Sequence, residues 1–177
     1  MRICFVCLGN LCRSPAAAAV FADLAAAAGL AVTVDSAGTV AAHPGRPAHE
    51  HAVAEAARRG ITIEHHSRRF TVDDFGRFDL VVALDTARAG DLTALAPDDE
   101  ARAKIVLLRS FVPGADDLDV ADPYGLPAVA YRDMFDDLQV ACRALVDHLS
   151  VPSAGFEPAH TAPEAVHPSP RRTCSET

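Results

Sequence analysis

Apolar and polar positions along the chain follow two periods in turn. Arg2-Ile3-Cys4-Phe5-Val6 is a short apolar run rich in strand formers. Phe78-Asp79-Leu80-Val81-Val82-Ala83-Leu84 is almost continuously apolar, which suits a strand buried on both faces. Shorter runs at Ala31 to Val34 and Lys104 to Leu108 predict two more strands. Between them lie stretches at helical spacing. Ala16 to Ala28 carries Val20, Phe21 and Leu24 on one face and is stopped by Gly29. Ala48 to Arg59 is ended by Gly60, and Thr86 to Leu95 follows the third strand. Ala128 to Leu149 is a long final helix with Met134, Phe135, Leu138, Cys142 and Leu145 broadly on one side. Strands separated by helices predict an α/β fold, a parallel sheet covered on both faces. Ligands of such sheets bind beyond the carboxyl ends of the strands. That directs attention to the turn after the first strand and to the loop around Asp122.

The periodicity fades after Ser150. Residues 151–177 are dominated by Pro, Ala, Ser and Thr, with Val151, Phe156 and Val166 as the sizeable apolar residues. Such a segment buries too little surface to offset its ordering entropy, so a disordered tail is expected after a folded domain at 1–150. The 177-residue length fits one domain plus that tail. The hydrophobic fraction of 50% is inflated by alanine, so an ordinary core is expected.

Charge and cysteine content narrow the function. The net charge is −8 and no basic stripe runs along the chain, which argues against nucleic-acid binding. No apolar run reaches the ~20 residues of a membrane span, and no signal-peptide pattern precedes the first strand. A cytoplasmic, reducing location is expected, because the 5 cysteines are an odd number with three crowded into residues 4–12.

The first strand runs into Val6-Cys7-Leu8-Gly9-Asn10-Leu11-Cys12-Arg13-Ser14-Pro15. Gly9 permits a sharp turn with positive φ, and Asn10 tolerates a left-handed conformation. Ser14 is a good N-cap and Pro15 a good first helical residue. A loop of this kind aims backbone N–H groups inward at the positive end of a helix dipole, an anion site suited to phosphate. Leu8, Gly9, Asn10, Leu11, Cys12 and Ser14 would line it. Cys7 stands at its floor, where the inward N–H groups, the helix terminus and Arg13 favour thiolate over thiol. The planar fork of Arg13 can grip two phosphoryl oxygens.

Cys4 and Cys7 also read as Cys-x-x-Cys, but Cys4 lies inside a strand and no second pair completes a metal site; Cys4 is expected to be a small buried hydrophobe. Cys12 is either a packed cysteine or a resolving partner that forms a reversible disulfide with oxidised Cys7. A thiolate attacking a phosphate ester also requires a proton for the leaving oxygen. The candidate donor is Asp122 in Asp122-Pro123-Tyr124-Gly125, with Tyr124 as an aromatic wall beside the leaving group. By spacing alone, Asp122 reads more readily as a turn aspartate before proline.

Together these residues resemble the low-molecular-weight protein tyrosine phosphatase family. Asp35-Ser36-Ala37-Gly38-Thr39, the segment His65 to Phe75, Val82-Ala83-Leu84-Asp85 and Leu107-Leu108-Arg109-Ser110-Phe111 follow in order, so the likeness spans residues 1 to about 150. The resemblance implies a four-stranded parallel sheet flanked by helices on both faces, and a mechanism that uses no metal and no cofactor. It implies that Cys7 is the nucleophile that forms a phosphocysteine. Arg13 would bind the phosphoryl group, and Asp122 would act as general acid and then as base for water. It further implies that Ser14 hydrogen-bonds the thiolate and that Asn10, Ser36 and His65 hold the loop in shape. The expected partner is a phosphotyrosine protein, and the enzyme is expected to be a monomer that binds neither nucleic acid nor membrane.

Two departures widen the cleft. Ala42 stands where the family has an aromatic wall, and Gly125 follows Tyr124 in place of a second aromatic. Asp-Pro-aromatic-Gly and Tyr131 are similar to the related protein-arginine phosphatases, but Leu11 is closer to the Ile of tyrosine phosphatases than to the Thr of arginine phosphatases. Phosphotyrosine is therefore the expected substrate and phosphoarginine the alternative. A thiol-dependent arsenate reductase on the same fold is a more distant alternative, because residues 80–95 lack its relay cysteines.

Overall fold

The computed structural model describes residues 1–40 and 44–151. Ala42, and the expected tail beyond Val151, lie outside the described residues. The strands are β1 (Arg2–Cys7), β2 (Thr33–Gly38), β3 (Leu80–Ala83) and β4 (Ile105–Leu107). They form one four-stranded parallel sheet in the order β2-β1-β3-β4. The helices are α1 (Arg13–Ala27), α2 (Glu50–Arg58), α3 (Asp74–Arg77), α4 (Thr86–Leu95), α5 (Asp99–Ala103) and α6 (Ala128–Ser150). No helix among the described residues is long and apolar enough to cross a membrane.

Strand alternation sorts the core into two layers. Ile3, Phe5 and Cys7 of β1 point into a cluster with Val20 and Phe21 of α1 and Leu138, Cys142 and Leu145 of α6. Cys4 and Val6 point the other way, onto Phe70, Phe75, Phe78 and Leu92. The rings of Phe5 and Phe21 meet at 5.4 Å, and both are fully buried; burial of each contributes about 1.5–3 kcal/mol. The alanines of α1 explain its fit in this crowded layer. Ala16, Ala17 and Ala25 are fully buried, and the Cys142 thiol of α6 donates to the Ala17 carbonyl at 3.7 Å. Burial pushes the Cys4 and Cys142 thiols up, so both are inert core residues, as expected for Cys4.

The sequence-based bounds shift where polar residues serve the site. β2 runs to Gly38 rather than ending at Val34, because Asp35 and Ser36 pair in register with Cys4 and Phe5 despite their polarity. Helix α1 starts at Arg13, with Cys12 at its N-cap and no side-chain cap. Ser14 is therefore inside the first turn and not the cap, since its hydroxyl is engaged elsewhere, as described below. The short helices α3 and α5 carry too few residues to show a period.

Candidate active site

The loop between β1 and α1 lies beyond the carboxyl end of a central strand. Its turn is made by Asn10, whose φ is 55°, rather than by Gly9. An Asn in that conformation is strained unless its side chain is held. Asn10 is fully buried and every polar group of its side chain is used. Its Nδ2 donates to Ser14 Oγ at 2.8 Å and to Ser36 Oγ at 3.0 Å, while Oδ1 accepts from the Arg68 amide at 2.9 Å. His65 Nε2 lies 2.7 Å from the Asn10 carbonyl. Burial lowers the affinity of His65 for a second proton, so the neutral ring donating through Nε2 is the state that fits. Ser36 and His65 thus both contact Asn10 of the loop.

Cys7 is buried at the loop floor, with Sγ 3.0 Å from Ser14 Oγ. Ser14 has one proton and three neighbours. It accepts from Asn10 and can donate either to the Ala37 carbonyl, at 3.2 Å, or to Cys7. With Cys7 as thiol, the S–H can donate to Ser14 while Ser14 donates to Ala37. With Cys7 as thiolate, the Ser14 proton can turn to sulfur. Among the described residues, the amides of Gly9, Asn10, Leu11, Cys12 and Arg13 have no acceptor within the protein. Five successive donors beside a thiol are thus open to an anionic ligand.

Arg13 closes the site from the first turn of α1. Its side chain is 5% exposed. Nη1 donates to Asp85 Oδ2 at 2.6 Å and to the Val120 carbonyl at 3.1 Å, and Nη2 donates to Asp122 Oδ2 at 2.8 Å. Asp85 caps α4 with its other oxygen, which accepts from the Arg88 amide at 2.7 Å. Sequence reasoning gave Asp85 no role; the signal available was a carboxylate where a buried strand meets a helix start. Asp122 is exposed and also accepts from the Tyr124 amide at 3.1 Å. Tyr124 is exposed and Leu11 buried, and both line a groove beside the loop. Leu8 is exposed at the rim.

The Cys12 thiol has a partner of its own. Its Sγ meets the Tyr131 hydroxyl at 3.7 Å, and burial pushes its thiol up to about 11. It is a protonated thiol at neutral pH, unsuited to initiate attack.

Gly38 carries no chemistry of its own in the run Asp35 to Thr39, yet it sets the height of the loop. A Cβ there would stand 2.6 Å from the Leu8 carbonyl oxygen and 3.0 Å from the Asn10 nitrogen. Both are backbone atoms and cannot rotate away.

Comparison with known proteins identifies the family. A model of the family described as low molecular weight phosphotyrosine protein phosphatase matches residues 2–166. The chain belongs to that family. Family membership makes it a phosphoric monoester hydrolase of the protein-tyrosine-phosphatase class. It is 47% identical over 127 residues to a low molecular weight protein-tyrosine-phosphatase of Streptomyces coelicolor, covering 70% of this chain and 77% of that one. The crystal structure of a protein tyrosine phosphatase from Entamoeba histolytica superposes with a TM-score of 0.80 at 32% identity, covering 84% of this chain and 96% of the other. The arginine phosphatase YwlE, in a mutant whose active-site serine is phosphorylated, gives 0.79 at 34% identity, covering 86% and 97%.

For a member of this family, Gly38→Ala is expected to raise the loop by a few tenths of an ångström or more. We expect kcat/KM for an aryl phosphate to fall by about 10²-fold while circular dichroism still shows the native helix content, because small displacements of reacting groups cost that much. A variant with wild-type kinetics would show that the loop adapts freely.

Proposed function

We propose that the protein hydrolyses phosphotyrosine in proteins through a phosphocysteine formed on Cys7. The observation that carries this reading is the buried Cys7 thiol, 3.0 Å from Ser14 Oγ, at the floor of five unpaired amides closed by Arg13. The phosphoryl group sits on those amides and on the Arg13 fork. The Cys7 thiolate attacks phosphorus, the P–S bond forms, and the ester P–O bond breaks with its electron pair on the phenolic oxygen. Asp122 gives that oxygen its proton. Water then attacks phosphorus, Asp122 takes its proton, and the P–S bond breaks to return the thiolate, which the Ser14 hydroxyl stabilises.

Asp122 enters this cycle by exchange. In the structure it shares Arg13 with Asp85. A phosphoryl dianion that takes Nη2 replaces one anion on Arg13 with another and frees the Asp122 carboxyl from that contact. Asp85 and Val120 keep Arg13 in place meanwhile. The phosphorylated active-site serine named for YwlE supports a covalent intermediate at the matching loop position. Cys12 is the proposed resolving thiol should Cys7 be oxidised to the sulfenic acid by a peroxide, with water leaving as the disulfide forms.

Phosphotyrosine is favoured over phosphoarginine by Leu11, which is apolar, buried and beside Tyr124 in the same groove. A paired initial-rate assay under reducing conditions tests this, with one peptide carrying either phosphotyrosine or phosphoarginine. Faster release from phosphotyrosine is expected. Faster release from phosphoarginine would assign the chain to the YwlE type of activity.

A further inference from the structure

Beside the phosphate loop lies a groove of about 410 Å³, walled by Leu11, His49 and Tyr124 with Arg46 and Glu50 at its edge. His49 joins three parts of the molecule there. Its amide donates to the Leu11 carbonyl at 2.8 Å, which ties the start of α2 to the phosphate loop. Its ring stacks on Tyr131, with centroids 5.0 Å apart and planes within 20°. It also meets the edge of Tyr124 at 5.9 Å and 75°. Tyr131 is fully buried and braced by His51, at 5.2 Å, and by Cys12. Tyr124, by contrast, is 58% exposed, and among the described residues the His49 ring is its one aromatic neighbour. A tyrosine held only by its own backbone samples several rotamers; a ring stacked on a buried partner fixes one.

Resting on the reading that the Cys7 loop receives the phosphoryl group, we propose that His49 is a positioning residue that holds Tyr124 against the Leu11 side of the cleft and thereby sets its preference for planar aryl phosphates over alkyl phosphates. The groove so formed is bounded by apolar and aromatic surface on the Leu11–Tyr124 line, which suits a flat ring better than a flexible chain. The stack on buried Tyr131 anchors the His49 side of this groove to the core.

His49 has one other task, and the two are separable. Its Nδ1 accepts from the His51 amide at 3.3 Å and so caps α2. His49→Asn keeps an oxygen acceptor suited to the cap and removes the ring. His49→Phe keeps a ring and removes the acceptor. The probes are phenylphosphonate and methylphosphonate, bound to the full chain and followed by titration calorimetry, so that the reading does not depend on turnover. Wild-type protein should bind phenylphosphonate more tightly. In His49→Asn the affinity for phenylphosphonate should fall about two- to tenfold, the size of one aromatic pair contact, with methylphosphonate affinity close to wild type and the chain still folded by circular dichroism. In His49→Phe the phenyl preference should persist. Equal weakening of both ligands in His49→Asn, an unchanged ratio, or a wild type without phenyl preference would each overturn the proposal. Failure of the wild type to hydrolyse aryl phosphate while it keeps the phenyl preference would sink the phosphatase reading alone.

Discussion

Cys7→Ser is expected to bind inorganic phosphate and turn over no measurable substrate. The five amide donors and the Arg13 fork do not depend on sulfur, so the anion site survives. The substituted hydroxyl keeps the contact with Ser14 and is nearly isosteric with the thiol. What is lost is a ready nucleophile and a good leaving group: an alcohol does not ionise at neutral pH, so any phosphoserine formed is released far more slowly than a phosphocysteine. Loss of a nucleophile that works as a unit with its neighbours costs roughly 10⁴-fold or more in kcat. Calorimetric titration with phosphate and a phosphate-release assay on the same preparation make the comparison. Residual turnover within about tenfold of wild type would mean that another group attacks phosphorus.

Asp122→Ala should separate substrates by their leaving groups. A tyrosine phenolate is a poor leaving group without a proton, so its release should slow by about 10²–10⁴-fold. A nitrophenolate leaves unaided, and its first step should slow far less. The slope of log kcat/KM against leaving-group acidity should therefore steepen in the variant. Stability should change little, because Asp122 is exposed and Arg13 retains Asp85 and the Val120 carbonyl. A variant as fast as wild type on a phosphotyrosine peptide would assign the acid role to another residue.

The sheet and the site were legible to different depths. Strands β1 and β3 show in the sequence because burial on both faces makes them almost continuously apolar. The end of β2 does not, because Asp35, Ser36 and Gly38 look like a turn; their polarity serves Arg68, Asn10 and the loop backbone. Cys7, Arg13 and Asn10 are contiguous, so their chemistry could be read from one stretch. Asp85 could not, since its partner Arg13 is 72 residues away. Ser14 was expected to cap α1, the usual use of a serine there. The structure engages its hydroxyl with Asn10, Cys7 and Ala37 instead and leaves Cys12 at the uncapped N-terminus. His49 carried no signal at all, because ring stacking on Tyr131 joins positions with no periodic relation.

The clamp on Asn10 has a further consequence. The loop is fixed by Ser14 from its own helix, Ser36 from the neighbouring strand, and His65 and Arg68 from the segment that crosses back over β2. No two of these anchors are local to one another beyond a single turn. The catalytic geometry is therefore an all-or-none property: it exists when the sheet edge and the crossover segment are both in place, and no partly opened form retains it. Loss of activity on heating or in denaturant should report opening of that crossover as faithfully as it reports the loop itself.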